Sequence, residues 1–515
     1  MTNKITDVGV AASDSAETFV GEIRVASRIV DYLSSGLYPS PAACLKELIN
    51  NAYDADARTV YVYVKPDGDR IVIEDDGCGM SRSEFITHFE RISESHKRDS
   101  SQFTEEFNRP KIGKIGIGFI AANEICEFME IFSTKAGSRE LLHVTINFSE
   151  MSRPIQERKK ESGDITKADY EGEVTFDATL EEHYTHIFLE RVRGEAHDIL
   201  VGATSQLGEK NVKSLYGKKP ETISNLLRDP SLNSWKDFDF YSETMLQVAL
   251  NTPVKYSDNW IPVTPKPSYI EKIEEDVNSL DFTVYYDGTD LRKPTIFAPT
   301  IRNRNFLVEP FTFDGEHVSA KGYFYVEHGV LKPQDLHGLL VRIRNSAVGK
   351  YDSSFWGFTP TLAQIIQRWI SAEIWADDRL EDAMNIDRST LREAHPAYVE
   401  LRNAIHKHLK KVIDLATRRL YKEGNIVRRE QKSQESKERI TEVLALAKEN
   451  VSSTSIIKIE NTWDNKSIDA IGQKSLLRKY SVAEVYEALI DAADGILDAK
   501  QLSLLLQRLT ERLSK

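Results

Sequence analysis

The chain has 515 residues, of which 40% are hydrophobic and 29% charged, as in ordinary globular proteins of two to four domains. Its formal net charge of −13 excludes a general affinity for polyanions, so nucleic-acid contact would need a local basic patch. The cysteines (Cys44, Cys78 and Cys126) lack metal-ligand spacing. Neither a signal-peptide pattern nor a bilayer-length apolar run is present. We therefore expect a cytoplasmic protein without membrane contact.

The first stretch with chemical potential is a predicted helix at 45–55, which reads LKELINNAYDA. Glu47, Asn51 and Asp54 are four and seven residues apart, which places them within about 60° of one another on a helix. Such a face could hold a metal ion and orient a water molecule. An amphipathic surface helix explains the same pattern. The helix alone does not decide between these interpretations.

A glycine turn follows two predicted strands at 59–65 and 70–74. Asp75 ends the second strand, and Gly77 and Gly79 alternate after it. Alternate glycines make a floor without side chains, so a flat ligand can approach the backbone while the carboxylate accepts from its amino group. An ordinary turn capped by an aspartate is the simpler alternative.

A second glycine-rich segment, 111–119, reads KIGKIGIGF and leads into an apolar helix predicted to end at 125. Exposed amides at a helix N-terminus bind anions, so phosphate is the natural ligand. Gly116, Gly118 and Ala121 also fit a dinucleotide-binding pattern, but 107–111 is a poor strand for that fold. The polar run at 99–110 predicts a flexible lid.

In this order and spacing, the three motifs resemble the GHKL ATPase superfamily of gyrase, the ninety-kilodalton heat-shock chaperones, histidine kinases and MutL. They are most similar to the chaperone branch. The resemblance implies an α+β fold whose first domain, residues 1–195, is a Bergerat ATPase domain with helices on one face of an antiparallel sheet. ATP and Mg²⁺ are the implied ligands.

The resemblance also implies roles for individual residues. Glu47 would be the general base that orients the attacking water, Asn51 would ligate Mg²⁺, and Asp75 would accept from the adenine amino group. The other implied nucleotide contacts are Asp54, Gly77, Gly79 and Met80 around adenine, Gly113, Gly116, Gly118 and Phe119 at the phosphates, Ser95 and Lys97 near the lid or phosphates, and Thr185 through water. Histidine kinases generally lack the glutamate at the position of Glu47, so its presence favours hydrolysis over protein phosphorylation.

Predicted strands at 260–263, 282–286, 295–298, 321–327, 338–343 and 370–376, with a helix at 361–369, indicate an α+β middle or transducer-like domain over 196–395. The stretch 384–392 resembles the catalytic loop of the chaperone middle domain. By that match, Arg388 would reach the γ-phosphate when the domains dock. Arg342, Arg344 and Lys350 are alternative candidates. A charged group at such a junction is otherwise a cap or surface residue.

The last region, 396–515, has mainly helical patterns. Lysines and arginines between 407 and 429 make its first part basic. A solvated helix face explains this, and nucleic-acid contact is the alternative. An apolar stripe within 482–513 fits a core, a dimer seam or a partner surface equally well.

Three functions remain open from the sequence. The first is a chaperone-like ATPase that works as a dimeric, ATP-gated clamp on a protein client or partner. The second is a DNA-linked ATPase of the MutL or microrchidia type, in prokaryotic defence or repair, which couples ATP to nucleic acid or a partner nuclease. The third is a nucleotide sensor with negligible turnover.

Overall fold

The computed structural model describes residues 40–64, 68–89, 102–113, 118–151, 170–202, 204–206, 208, 212–297, 306–358, 364–385, 389–423 and 489–513. The chain divides into two units, Met1–Gly424 and Asn425–Lys515. Four predicted site residues, Ser95, Lys97, Gly116 and Arg388, lie outside the described residues.

An eight-stranded sheet dominates the first unit, in the order β5-β4-β3-β6-β2-β1-β7-β8. Its strands are β1 Thr59–Tyr63, β2 Arg70–Asp75, β3 Cys126–Thr134, β4 Leu141–Asn147, β5 Tyr170–Thr175, β6 Tyr184–Val192, β7 Thr283–Tyr286 and β8 Thr289–Asp290. All neighbours pair antiparallel except β1 and β7, which are parallel. The sheet therefore extends beyond the boundary expected at 195.

The helices associated with this sheet are α1 Pro41–Asp54, α2 Arg82–Phe89, α3 Ala122–Ile125, α4 Phe148–Met151, α5 Gly194–Val201, α6 Pro220–Leu227, α7 Phe240–Asn251 and α8 Ser268–Asn278. Short 3-10 turns cover Gly118–Ala121 and Trp235–Asp237. Ser40 caps α1 by accepting from the Ala43 amide, and Pro41 occupies its first turn, where a missing N–H costs no helical bond. α1 packs against α7, α3 and the 3-10 turn Gly118–Ala121.

A second sheet of five strands has the order β12-β11-β13-β10-β9. Its strands are β9 Phe306–Asp314, β10 Ser319–Glu327, β11 Gly338–Ile343, β12 Ser346–Asp352 and β13 Ile370–Ala376. Short helical elements are the 3-10 turn Gln334–Leu336, helix α9 Gln364–Gln367 and the 3-10 turn Asp378–Ala383. Helix α10, Pro396–Leu415, buries Leu401, Ile405 and Leu409 in the core of this sheet and continues as a π-helix, Ala416–Glu423.

Most strands predicted for the middle region form, but the described residues at 260–263 and 295–297 are not in strands. Trp260 and Ile296 are buried in loops, so their apolar character reflects packing rather than strand pairing. In the second unit, the described residues form helix 489–493 and helix α11, Ala499–Leu513. None of the described helices is long and apolar enough to cross a membrane. The fold class is α+β, as expected.

Candidate nucleotide-binding site

The polar face of α1 borders the candidate site. Glu47 is 9% exposed, and its Oε1 lies 3.2 Å from Lys46 Nζ without a hydrogen bond of good geometry. Asn51 and Asp54 are half-buried on the same face. Asn50, three residues after Glu47, is 3% exposed, and its amide atoms find no hydrogen-bond partner within the described parts of the chain. Buried polar atoms normally have partners, so this face is suited to a polar ligand. The sequence analysis missed Asn50, although its spacing from Glu47 was the available signal.

Asp75 lies at the end of β2 and begins the glycine turn. Its side chain is buried, and Oδ1 accepts from the Gly77 amide at 2.9 Å. Burial raises the pKa of Asp75 to about 7, against the lowering effect of that hydrogen bond. The Gly77 carbonyl lies 2.8 Å from His183 Nδ1, which must donate because a carbonyl can only accept. The sequence analysis did not identify His183, which comes just before β6.

Gly79 is required by a close approach between backbones. Its φ is +66°, and an added Cβ would lie 1.8 Å from the Thr134 carbonyl oxygen at the end of β3. No other residue type fits both constraints. The turn therefore packs directly on the sheet, as the floor predicted for a flat ligand requires.

Hydroxyl groups join this turn to β3 and β6. The Met80 amide donates to Ser133 Oγ at 2.9 Å, and Ser133 Oγ lies 2.9 Å from Thr185 Oγ1. Thr185 pairs with Asp75 in the β2–β6 register. The structure thus brings Asp75, Met80 and Thr185 together from separate segments. Ser133 was missed because a buried serine within a strand has no distinctive sequence pattern.

Asp54, at the last turn of α1, contacts the start of the second glycine segment. Its carboxylate accepts from the Ile112 amide at 2.6 Å and the Gly113 amide at 2.7 Å. The sequence analysis placed Asp54 beside adenine, whereas these bonds place it at the glycine segment. The physical reason is that two consecutive backbone amides at 112–113 need an acceptor, and a carboxylate supplies two oxygens.

The described part of the expected flexible lid is a bonded hairpin-like turn. Lys111 N donates to the Gln102 carbonyl at 2.9 Å, and the Glu106 amide donates to Asp56 at 2.9 Å. Arg109 is 2% exposed and donates to the carbonyls of Ala57 and Asp281. These bonds anchor 102–113 to the loop after α1, which corrects the lid prediction for this part. After the glycines, Gly118 starts a 3-10 turn, and Phe119 is buried in the core.

The alternative candidates on the second sheet differ in environment. Arg342 is wholly buried, pairs with Glu373 at 3.2 Å and donates to the Leu250 carbonyl, so it is a core group. Arg344 donates to the Lys111 carbonyl, next to the glycine segment. Lys350 is an exposed residue of β12. Met384 and Leu391, on either side of residues 386–388, which the structure does not describe, form an isolated antiparallel bridge.

Comparison with known proteins identifies the first domain. Residues 39–179 match the family described as histidine kinase-, DNA gyrase B- and HSP90-like ATPase. This segment contains α1, both glycine segments and the strands β1–β5. It thus includes the residues that form most of the candidate site.

The individual relatives are distant in sequence, and their names describe different kinds of protein. The chain is 25% identical over 408 residues to "Putative type II restriction enzyme HgiDII" of Herpetosiphon aurantiacus, across 78% of this chain and 57% of that protein. It is 27% identical over 156 residues to the chaperone protein HtpG of Rhizobium etli, covering 24% of this chain and 23% of HtpG. It is 38% identical over 78 residues to the mismatch repair protein MutL of Myxococcus xanthus, covering 15% and 13%.

These alignments cover little more than half of the restriction-enzyme relative and under a quarter of the other two. The ordered motifs, the sheet with its docked glycine turn and the family match agree. On these grounds residues 39–179 form a domain of the GHKL ATPase superfamily.

Proposed function

We propose that this protein hydrolyses Mg–ATP and works as an ATP-gated conformational clamp of the chaperone-like type, with the second sheet as its transducer. One observation carries the proposal. The buried carboxylate of Glu47 and the carboxylate of Asp54, which holds the glycine segment, lie on the same helix. A base and a phosphate-binding segment are therefore positioned by one rigid element, as hydrolysis of a bound nucleotide requires.

The adenine end of the site would be formed by the glycine turn. Asp75 accepts from the exocyclic amino group, and Gly77 and Gly79 let the ring lie close to the backbone. The Ser133 hydroxyl donates to the Tyr184 carbonyl, so the Thr185 hydroxyl donates to Ser133. This arrangement supports the proposal because it leaves Thr185 Oγ1 as an acceptor beside Asp75. Phosphates would then extend toward the polar face of α1 and the glycine segment, whose amides at 112 and 113 are held by Asp54.

Mg²⁺ would be held by the side-chain oxygen of Asn51 together with phosphate oxygens, the hard ligands that this ion prefers. The fit is supported by the half-buried position of Asn51, one turn after Glu47, and by the buried Asn50 amide, which has no hydrogen-bond partner among the described residues. When bound, the ion would neutralise phosphate charge. Glu47 would orient water and receive its proton. Arg388 would add positive charge at the γ-phosphate, and Ser95, Lys97 and Gly116 would complete the phosphate end.

The test is the Glu47→Ala variant, assayed for binding of ATP by calorimetry and for release of phosphate. We expect ATP affinity close to that of the natural protein and turnover lowered by about 10²-fold or more, since general-base catalysis typically contributes 10²–10⁴. Glu74→Ala is the matched control, because Glu74 is on the opposite face of β2 from Asp75 and should leave both quantities unchanged. Normal turnover in Glu47→Ala would show that Glu47 is not the general base. A natural protein that binds ATP without turnover would be a nucleotide sensor.

A DNA-linked ATPase is the second candidate, and the extent of one alignment favours it. The similarity to the HgiDII protein covers 78% of this chain, far beyond the ATPase segment. Duplex DNA that stimulates ATPase turnover, or a nuclease recovered with Glu47→Ala protein in ATP, would support this function. Stimulation by an unfolded protein client instead would support the chaperone-like clamp. In either case we propose a homodimer, which light scattering with and without ATP would test.

A further inference from the structure

We propose that Arg344 is a positioning residue that holds the start of the glycine segment, Lys111–Gly113, and thereby sets the affinity of the site for the phosphates of ATP. The inference rests on the proposed function, because it assigns the glycine segment to phosphate binding. It differs from the sequence-based suggestion that Arg344 itself reaches the γ-phosphate.

The backbone at the β11–β12 turn is the first reason. Ile343 pairs with Ser346, so Arg344 and Asn345 alone form the turn. Both are left-handed, with φ of +53° and +65°, as in the tightest hairpin turns. Asparagine tolerates this conformation, whereas arginine rarely adopts it. A residue held there needs surrounding contacts, and such strain is common where a side chain has a specific task.

The second reason is the set of carboxylates that orient the guanidinium. The Arg344 side chain is 3% exposed, its Nε donates to Asp378 Oδ1 at 2.8 Å, and Nη2 lies 3.3 Å from Glu381 Oε2. Both carboxylates belong to the 3-10 turn Asp378–Ala383. A buried guanidinium held between two carboxylates has little freedom to rotate. The direction of its third nitrogen, Nη1, is therefore fixed.

That remaining group meets the glycine segment. Arg344 Nη1 donates to the Lys111 carbonyl, and the next two amides, of Ile112 and Gly113, donate to Asp54. The segment is thus held from two sides, by a cation of the second sheet and by an anion of α1. Hydrogen bonds with a charged partner are stronger than neutral ones. Loss of Arg344 would leave Asp54 as the remaining charged anchor among these contacts.

The adenine end has separate support, which makes the inference testable. Gly77 is held by His183, and Met80 by Ser133, and neither contact includes Arg344. Displacement of 111–113 should therefore weaken binding of phosphates and leave binding of the base intact. A general loss of stability would instead weaken both.

The experiment compares a non-hydrolysable ATP analogue with adenosine, by calorimetry, on natural protein and Arg344→Gln. We expect the analogue to bind at least about tenfold more weakly while adenosine affinity is unchanged, since small displacements of binding groups carry large costs. The affinity of Arg344→Lys for the analogue should lie between those of the natural protein and Arg344→Gln, because lysine keeps the charge but lacks the planar guanidinium. Arg379→Gln is the matched control: Arg379 lies in the same 3-10 turn but donates to Asp377 and to the Gly315 and Glu316 carbonyls.

Hydrogen exchange without nucleotide gives an independent readout. The amides of residues 112 and 113 should exchange faster in Arg344→Gln than in the natural protein and Arg379→Gln. Unchanged exchange, or an equal loss of adenosine and analogue affinity, would overturn the inference. If natural protein bound no ATP, the proposed function would fail, whereas the exchange data would still decide whether Arg344 positions the segment.

Discussion

At the residue scale, Asp75 has to serve two opposing demands. Burial raises its pKa to about 7, yet in the proposed site the ionised carboxylate would be the stronger acceptor for the adenine amino group. The Gly77 amide lowers the pKa, and so does the charge of His183. In the proposed site, the ionisation of this one buried group would therefore set how well the glycine turn accepts adenine near neutral pH.

This balance predicts that adenosine binding depends on pH. Below a pKa of about 7 the free site takes up a proton that binding must release, so affinity should fall by up to about tenfold per pH unit as pH decreases. Adenosine is the suitable ligand because it lacks phosphates that titrate in this range. Calorimetry between pH 5.5 and 8.5 measures the effect. A constant affinity over this interval would show that binding of the base does not depend on ionisation of Asp75.

The same pKa predicts how stability without ligand varies with pH. The native pKa of about 7 exceeds the reference value of 3.8, so the folded state holds more protons between these values, and the free energy of unfolding should decrease as pH rises. The loss would be at most about 4 kcal/mol, at 1.36 kcal/mol per pKa unit. Asp75→Asn keeps an oxygen for the Gly77 amide and removes the titration. Its unfolding free energy should therefore exceed that of the natural protein at pH 8 and match it more closely at pH 5.

At the element scale, the second sheet encloses a polar cluster centred on Glu373. Arg342, Tyr351 and Tyr256 all bond this carboxylate, and every member is buried. Burial acts to raise the pKa of Glu373, but the Arg342 ion pair and the hydroxyl donors hold that pKa below its usual range. The cluster thus joins β11, β12 and β13 to the loop at Tyr256 as a hydrogen-bonded network rather than a group of ligand-binding side chains.

We accordingly expect Arg342→Ala to affect stability rather than nucleotide contact. It would leave Glu373 buried without its cation, a change that typically costs about 3–5 kcal/mol. Urea unfolding measures the loss, and ATP-analogue affinity of the folded protein should stay within about twofold of the natural value, since ordinary distant sites act independently. Lys350→Ala, at an exposed position on β12, is the control for a substitution without this cost. A large loss of affinity with normal stability would instead indicate that Arg342 contacts the phosphates.

Local patterns explain which elements the sequence analysis predicted correctly. The helix predicted at 45–55, the strand at 70–74 and the glycines at 77 and 79 each depend on neighbours in the chain, and all were recognised. Pairing of β1 with β7, about 220 residues later, depends on tertiary packing and was not. The anchoring of Asp54 and Arg344 to 111–113 was missed for the same reason. A sequence pattern marks a carboxylate or guanidinium as polar, but not which distant backbone group it will meet.

At the scale of the whole first unit, the nucleotide site and the second sheet share hydrogen-bonded contacts. α1 bonds the glycine segment through Asp54, and the glycine segment bonds the β11–β12 turn through Arg344. α7 also contacts both α1 and β12, and its Leu250 carbonyl accepts from Arg342. A ligand that changes the position of 111–113 therefore acts on both sheets. Coupling of this kind is reciprocal in free energy.

This coupling predicts that ATP protects the second sheet from hydrogen exchange, although the proposed adenine end of the site belongs to the first sheet alone. In Glu47→Ala protein saturated with Mg–ATP, amides of β12 and of the 3-10 turn Asp378–Ala383 should exchange more slowly than without nucleotide. At 100 times Kd, linkage alone adds about 2.7 kcal/mol to global stability, so exchange must be compared with strands remote from the contact, such as β5. Uniform protection of all strands would indicate simple stabilisation and would contradict a transducer role. Selective protection that disappears in the Glu47→Ala, Arg344→Gln double variant, with ATP still saturating, would show that the contact between Arg344 and Lys111 transmits the nucleotide's effect.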